Sequence, residues 1–133
     1  MFSQLFKKFT RKPTPTAPTP ASPAPPLIVE VTDADFATVV LANPKLTVVD
    51  FWAEWCQPCE IMSAYAEFLA RDYENQLVVT ALDVDENPQT AEAHTIMGLP
   101  ALLFFRNGVE VARVVGIEEY STIKARVERL LAA

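Results

Sequence analysis

The chain has 133 residues, half of them hydrophobic, enough for one domain with a core of its own. Its formal net charge of −6 is unevenly spread: residues 1–26 hold Lys7, Lys8, Arg11 and Lys12 and no acid, which leaves 7 Lys/Arg against 17 Asp/Glu in the rest. So acidic a remainder excludes nucleic acid as a partner, because phosphate binding needs a basic face, and two cysteines are too few for the disulfide framework of a small secreted scaffold.

In residues 1–12, Phe2, Leu5, Phe6 and Phe9 recur at helical spacing, with the cations mostly elsewhere on the wheel. Such a segment fits the inner face of an anionic membrane, the groove of a partner protein, or a solvated tail of fortuitous spacing, and the three readings stay open. Lys7 and Lys8 break the apolar run that a signal peptide needs. Nor does any stretch approach the roughly 18 apolar residues of a membrane span. A reducing cytoplasm is the expected location, where a CxxC pair cycles chemically. Residues 13–26 contain seven prolines and no charge, which predicts an extended spacer ahead of a folded domain over 27–133.

Leu27–Val31 reads as a short strand. Thr32 or Asp33 is placed to cap a helix to about Leu41, which Asn43-Pro44 ends. Leu46–Trp52 is apolar except for Asp50 and predicts a strand buried on both faces. A helix is expected over Cys56–Tyr73, with Pro58 in its first turn and Ile61, Met62, Tyr65, Phe68 and Leu69 inward. Leu77–Val84 predicts another buried strand, Pro88 opens a short helix to about His94, and Gly98 breaks the chain. Ala101–Arg106 and Val109–Val115 flank Asn107-Gly108, a strong hairpin signal. Tyr120–Leu131 reads as an amphipathic helix with Ile123, Val127, Leu130 and Leu131 inward. The order βαβαβαββα places the chain in the α/β class, with a central mixed sheet and helices on both faces.

Cys56-Gln57-Pro58-Cys59 sits where a buried strand gives way to a helix. A helix N-terminus carries unpaired N–H groups and about +0.5 charge, which stabilise a thiolate, the attacking species in disulfide exchange. Two intervening residues let the second sulfur reach the first. Cys56 is then the exposed nucleophile and Cys59, a turn deeper, the resolving thiol. The competing use is structural zinc, which wants four ligands, whereas this pair and the distant His94 supply three. His94 itself reads as an ordinary helix residue. Asp50, six residues before Cys56, is costly to ionise among Val48, Val49, Phe51 and Trp52, so it should titrate high and can accept the proton of Cys59. A solvent-facing position on an edge strand is the alternative.

Several separate segments resemble one family. VVDFWAEWCQPC (Val48–Cys59) closely resembles the active-site segment of thioredoxins, and MGLPALLFFRNG (Met97–Gly108) resembles their cis-proline strand and hairpin. DVDENP (Asp83–Pro88) and VVG (Val114–Gly116) also have counterparts there, so the resemblance spans about Leu27 to Ala133. It implies the thioredoxin fold and the reduction of protein disulfides by dithiol–disulfide exchange, in the service of electron transport and redox homeostasis. It implies no cofactor beyond the redox-active disulfide Cys56–Cys59, and a reductase of the thioredoxin reductase type as electron donor. It further implies that Trp55 shields and orients the site. Pro100 would follow a cis bond after Leu99 and pair through its backbone with an extended substrate. Gln57, Pro58, Gly98, Gly116 and Ile117 would belong to the surface that grips that substrate.

Five positions depart from the family's commonest pattern. Gln57 stands for a glycine, Glu60 for a frequent basic residue, and Ala81 for a lysine near the buried aspartate. Ala101 replaces a threonine, and Ala64 a kinking proline. Glu60 should disfavour a thiolate, and the missing lysine removes a cation that would lower the pKa of Asp50. The alternative to an enzyme is a tethered module that uses the same fold for docking, with redox catalysis secondary.

Overall fold

Leu46–Trp52 lies at the centre of the molecule because its side chains are apolar on both faces. The computed structural model describes residues 27–133, so the expectations for residues 1–12 and 13–26 lie outside the described residues. Among the described residues one mixed sheet contains β1 (Ile28–Glu30), β2 (Leu46–Trp52), β3 (Leu77–Asp83), β4 (Ala101–Arg106) and β5 (Val109–Val115), in the spatial order β1-β3-β2-β4-β5. Strands β1 and β2 run parallel to β3, while β4 is antiparallel to β2 and β5 to β4. The helices are α1 (Ala37–Leu41), α2 (Pro58–Asp72), α3 (Pro88–Ala93) and α4 (Tyr120–Ala132). This is the βαβαβαββα order that the sequence predicts.

Alternation along β2 divides the core in two. Leu46 and Val48 join Met62 and Leu69 of α2 and Ile123 and Val127 of α4 on one face. Val49 and Phe51 face the other way, toward Phe36 and Val40, with Leu103 and Phe105 of β4 on the same side. By the same parity Asp50 falls on the α2 face. The His94 ring packs at 5.1 Å from Phe36 and 5.3 Å from Phe105, in the second layer.

Four local expectations are corrected. First, α1 is a π-helical turn of five residues, in which the Ala42 N–H reaches back to the Ala37 carbonyl at 2.9 Å. Second, Asp33 does not cap it: its carboxylate accepts the N–H groups of Gln89 (3.2 Å) and Thr90 (2.8 Å) and so caps α3. The turn before α1 is closed instead by Asp35, which accepts the Thr32 N–H at 2.6 Å. Third, α2 begins at Pro58, the N1 position that proline prefers, and not at Cys56. Fourth, Ile61 and Phe68 are exposed; the inward stripe is Met62, Ala66, Leu69 and Ala70, the positions that join Leu46, Val48 and Val79 of the sheet in one cluster. Phe68 packs beside Tyr65 on the ring of Tyr120, outside the core.

The β4–β5 hairpin turns at Asn107 (φ 52°) and Gly108 (φ 79°), the positive pair of a type I′ turn. A Cβ at Gly108 would also stand 3.3 Å from the Leu41 carbonyl oxygen. Gly108→Ala is therefore expected to lower stability by about 1–2 kcal/mol. Urea unfolding should show a lower midpoint with an unchanged slope. An unchanged midpoint would mean that the turn does not constrain the hairpin.

Candidate active site

Beyond β2 the chain crosses the end of the sheet through Ala53, Glu54 and Trp55 and then turns tightly. The Cys56 N–H donates to the Ala53 carbonyl (3.1 Å), Cys59 N–H to that of Cys56 (3.2 Å), and Glu60 N–H to that of Gln57 (3.1 Å). Cys56 thus lies just ahead of α2 and Cys59 in its first turn, both at the positive end of the helix. A disulfide joins them, with Cα atoms 5.4 Å apart. The expected contrast in exposure is small in this state, 5% for Cys56 against 2% for Cys59. Ala53, Trp52, Val84 and Leu99 pack around the pair and shelter both residues.

Behind the disulfide lies Asp50, only 1% exposed. In the sheet it stands between Ala81 of β3 and Leu102 of β4, so the edge-strand alternative does not hold. Its sequence neighbours Val49 and Phe51 point to the opposite face, while on its own side α2, β3, β4 and β1 supply Ser63, Ala81, Leu102 and Glu30. Ser63 of α2 donates its hydroxyl to Asp50 Oδ2 at 3.0 Å. Oδ1 is buried and has no hydrogen-bond partner among the described residues. Burial pushes the carboxyl up to about 7; the negative charge of Glu30 adds to the rise and the Ser63 hydroxyl opposes it. Asp50, Cys59, Ser63 and Ala81 share an open groove of about 610 Å³. Its outer walls carry Glu30, Glu54, Glu60 and Glu67.

A different surface flanks the other sequence-predicted residues. The Leu99–Pro100 bond is cis, and the Pro100 carbonyl accepts the Gly116 N–H at 2.8 Å. Gly116 needs its freedom here, with φ 83°. Gly98 lies against Val115, whose Cγ1 would stand 3.4 Å from an added Cβ. Leu99, Pro100, Gly98, Gly116 and the exposed Ile117 are thereby brought together. Trp55, 69% exposed, is held outward by its indole N–H, which donates to Asp85 Oδ2 at 2.8 Å. Gln57 and Pro58 are exposed between the cysteines.

Sequence reasoning missed four participants in this geometry. Ser63 follows Cys59 by four residues in a helix, a spacing that puts both on one face and was available as a signal. Asp85 carried no such signal, since only the folded loop brings it to Trp55. Met97, 89% exposed, and Val115, 55% exposed, extend the apolar surface around Gly98. His94 does not join the cysteines, and among the described residues no group of three or more His, Cys, Asp or Glu converges to hold a metal.

The family model described as thioredoxin matches residues 27–129. A thioredoxin of Buchnera aphidicola subsp. Baizongia pistaciae is 47% identical over 89 residues, covering 67% of this chain and 82% of that protein. A thioredoxin of Staphylococcus aureus is 47% identical over 91 residues, 68% of this chain and 86% of its own length.

Burial of Asp50 has a consequence for stability. An aspartate that ordinarily titrates near 3.8 but holds its proton to about 7 in the fold makes the folded state the better proton binder between those values. Stability relative to Asp50→Asn should therefore be greatest below about pH 4, fall as pH rises through this window by roughly 4 kcal/mol in all, and level off above about pH 7. Urea unfolding of the disulfide form of both proteins at a series of pH values reads the difference. A pH-independent difference would place the carboxyl at its ordinary value.

Proposed function

The chain belongs to the thioredoxin family and is a thiol–disulfide oxidoreductase that reduces protein disulfides, and we propose that Cys56 attacks, Cys59 resolves and Asp50 takes the proton. In the reduced protein the Cys56 thiolate attacks one sulfur of a substrate disulfide. The substrate S–S bond breaks, a mixed disulfide forms, and the departing thiolate picks up a proton. Cys59 then gives its proton to the Asp50 carboxylate and attacks the Cys56 sulfur. The second substrate thiolate leaves; two electrons have passed to the substrate, and the protein holds its own disulfide. A reductase of the thioredoxin reductase type returns the pair to the dithiol, as part of electron transport and redox homeostasis in a reducing cytoplasm. No cofactor enters this cycle beyond the disulfide itself.

What supports this reading is a buried carboxylate oxygen, without a hydrogen-bond partner among the described residues, on a residue that lines the same groove as Cys56 and Cys59. On the opposite flank Trp55, Gly98, Leu99, Pro100, Gly116 and Ile117 form the surface against which an extended substrate segment lies, next to Gln57 and Pro58. Apolar side chains left in water there gain from being covered.

The amphipathic sequence of residues 1–12 supports a second element of the proposal. Its four cations and four apolar residues suit the inner face of an anionic membrane, where each basic residue contributes about 1 kcal/mol. The proline-rich spacer would keep the acidic domain clear of headgroups of like charge.

Two measurements test these proposals. Insulin reduction with dithiothreitol should disappear in Cys56→Ser, while Cys59→Ser should accumulate a mixed disulfide with the substrate through Cys56. Accumulation through Cys59 in the Cys56→Ser variant would reverse the roles. For the tail, anionic vesicles at low salt should sediment the full chain and leave a chain beginning at Pro26 in solution; equal behaviour of the two would remove the membrane from the proposal.

A further inference from the structure

Among the described residues Ser63 is the side chain that hydrogen-bonds Asp50. A serine inside a helix commonly turns its hydroxyl back to the carbonyl four residues earlier, which here belongs to Cys59. Ser63 instead spends its one proton on Asp50 Oδ2, across 3.0 Å from α2 to β2. The carboxyl is therefore asymmetric. Oδ2 is engaged, and Oδ1 is buried without a partner. Ser63 and Cys59 are one helical turn apart and line the same groove as the carboxyl.

We propose that Ser63 is a positioning residue for the resolving step, fixing the Asp50 carboxyl by one oxygen so that the other receives the proton of Cys59. This inference rests on the reading of Asp50 as the acceptor of that proton. A hydroxyl donor favours the carboxylate over the carboxylic acid, because it has a hydrogen to give to the charged form. It also keeps Oδ2 occupied, which directs the incoming proton to Oδ1.

The surrounding charges make this donor matter. From β1, Glu30 lies toward the carboxyl and opposes its ionisation. From α2 and the loop before it, Glu60, Glu67 and Glu54 stand on the groove walls, and Cys59 faces the groove itself. The adjacent residue of β3 is Ala81 and that of β4 is Leu102, neither of which carries a charge. Against these acids Ser63 is the group that favours the ionised carboxyl.

Release of thionitrobenzoate from its symmetric disulfide separates the two chemical steps in the full-length reduced protein. The first equivalent reports attack by Cys56 and the second reports resolution by Cys59. Followed by stopped flow from pH 5.5 to 9, the second release should show an inflection that is lost in Asp50→Asn. Ser63→Ala should move that inflection up by about one pH unit, slowing resolution roughly tenfold at the acid end. Ser63→Thr, which keeps a hydroxyl, should restore it, and Ser63→Ala should do nothing further in an Asp50→Asn background. An unmoved inflection in Ser63→Ala, or a uniform slowing that persists in the Asp50→Asn background, overturns the positioning role while leaving Asp50 in place. A wild-type profile in Asp50→Asn instead overturns the reading of Asp50 itself, and with it the role of Ser63.

Discussion

A carboxyl group buried between a sheet and a helix, in a groove that also reaches a disulfide, is the constraint around which this domain is arranged. Removing an ionised carboxylate from water costs several kcal/mol, so Asp50 keeps its proton until the pH nears neutrality. That burial follows from the place of β2 in the sheet. Flanked by β3 on one side and β4 on the other, the strand offers solvent no edge. Parity decides the rest. A slip of one residue would carry Asp50 to the layer of Phe36, Leu103 and Phe105, away from Ser63 and Cys59. The apolar pattern that fixes the strand's register therefore also puts its one acid on the face of Ser63, in the groove shared with the cysteines.

The disulfide consequently separates two surfaces of opposite character. One is apolar and open, with Met97, Val115 and Ile117 left in water and the indole of Trp55 tied to Asp85. The other is a groove walled by four glutamates that ends at a buried acid. In the proposed cycle an incoming chain needs the first surface, because covering exposed apolar groups is favourable. The proton needs the second, because a carboxyl that titrates near neutrality must be kept from bulk water. Neither surface could do the other's work. An acidic docking face would repel acidic partners, and a proton acceptor in open water would return to the range of an ordinary aspartate.

What the sequence made legible follows from how far each signal acts. Strands β4 and β5 and the turn at Asn107-Gly108 depend on residues next to one another, and the structure has them at the expected boundaries. Strand β2 was equally plain, since seven residues with one acid describe a central strand. Asp33 is the counterexample. It has the chemistry of a cap, yet it caps a helix more than fifty residues away, because folding brings Gln89 and Thr90 closer than the local turn does. Ile61 and Phe68 were misplaced for another reason: helical periodicity gives a stripe but not its width, and these two fall outside the strip of α2 that the sheet covers. At the site, the CxxC spacing named the cysteines and the lone acid of β2 named the aspartate, while the proline came through family resemblance. Ser63 had only its spacing from Cys59 to mark it, and the contact across to β2 is what gives the residue a meaning.

That contact bears on the departures from the family pattern, which fall mostly on the groove side of the disulfide. Glu60 is exposed, so its repulsion of a Cys56 thiolate is screened and is set against a helix-end stabilisation of about 0.3–1 kcal/mol. The replacement of a lysine by Ala81 reaches further, because that position lies directly beside Asp50 in the sheet. A cation at that buried position would itself have to leave water, which offsets much of what its charge gives to Asp50. A hydroxyl donating to a buried carboxylate offers roughly 1.5–3 kcal/mol. Ser63 can therefore replace the missing charge with a directed bond, and it does so without placing a cation that the four glutamates would compete to bind. On this view the chain retains a buried acid able to ionise near neutral pH, with the donor moved from the neighbouring strand to the helix that also carries Cys59.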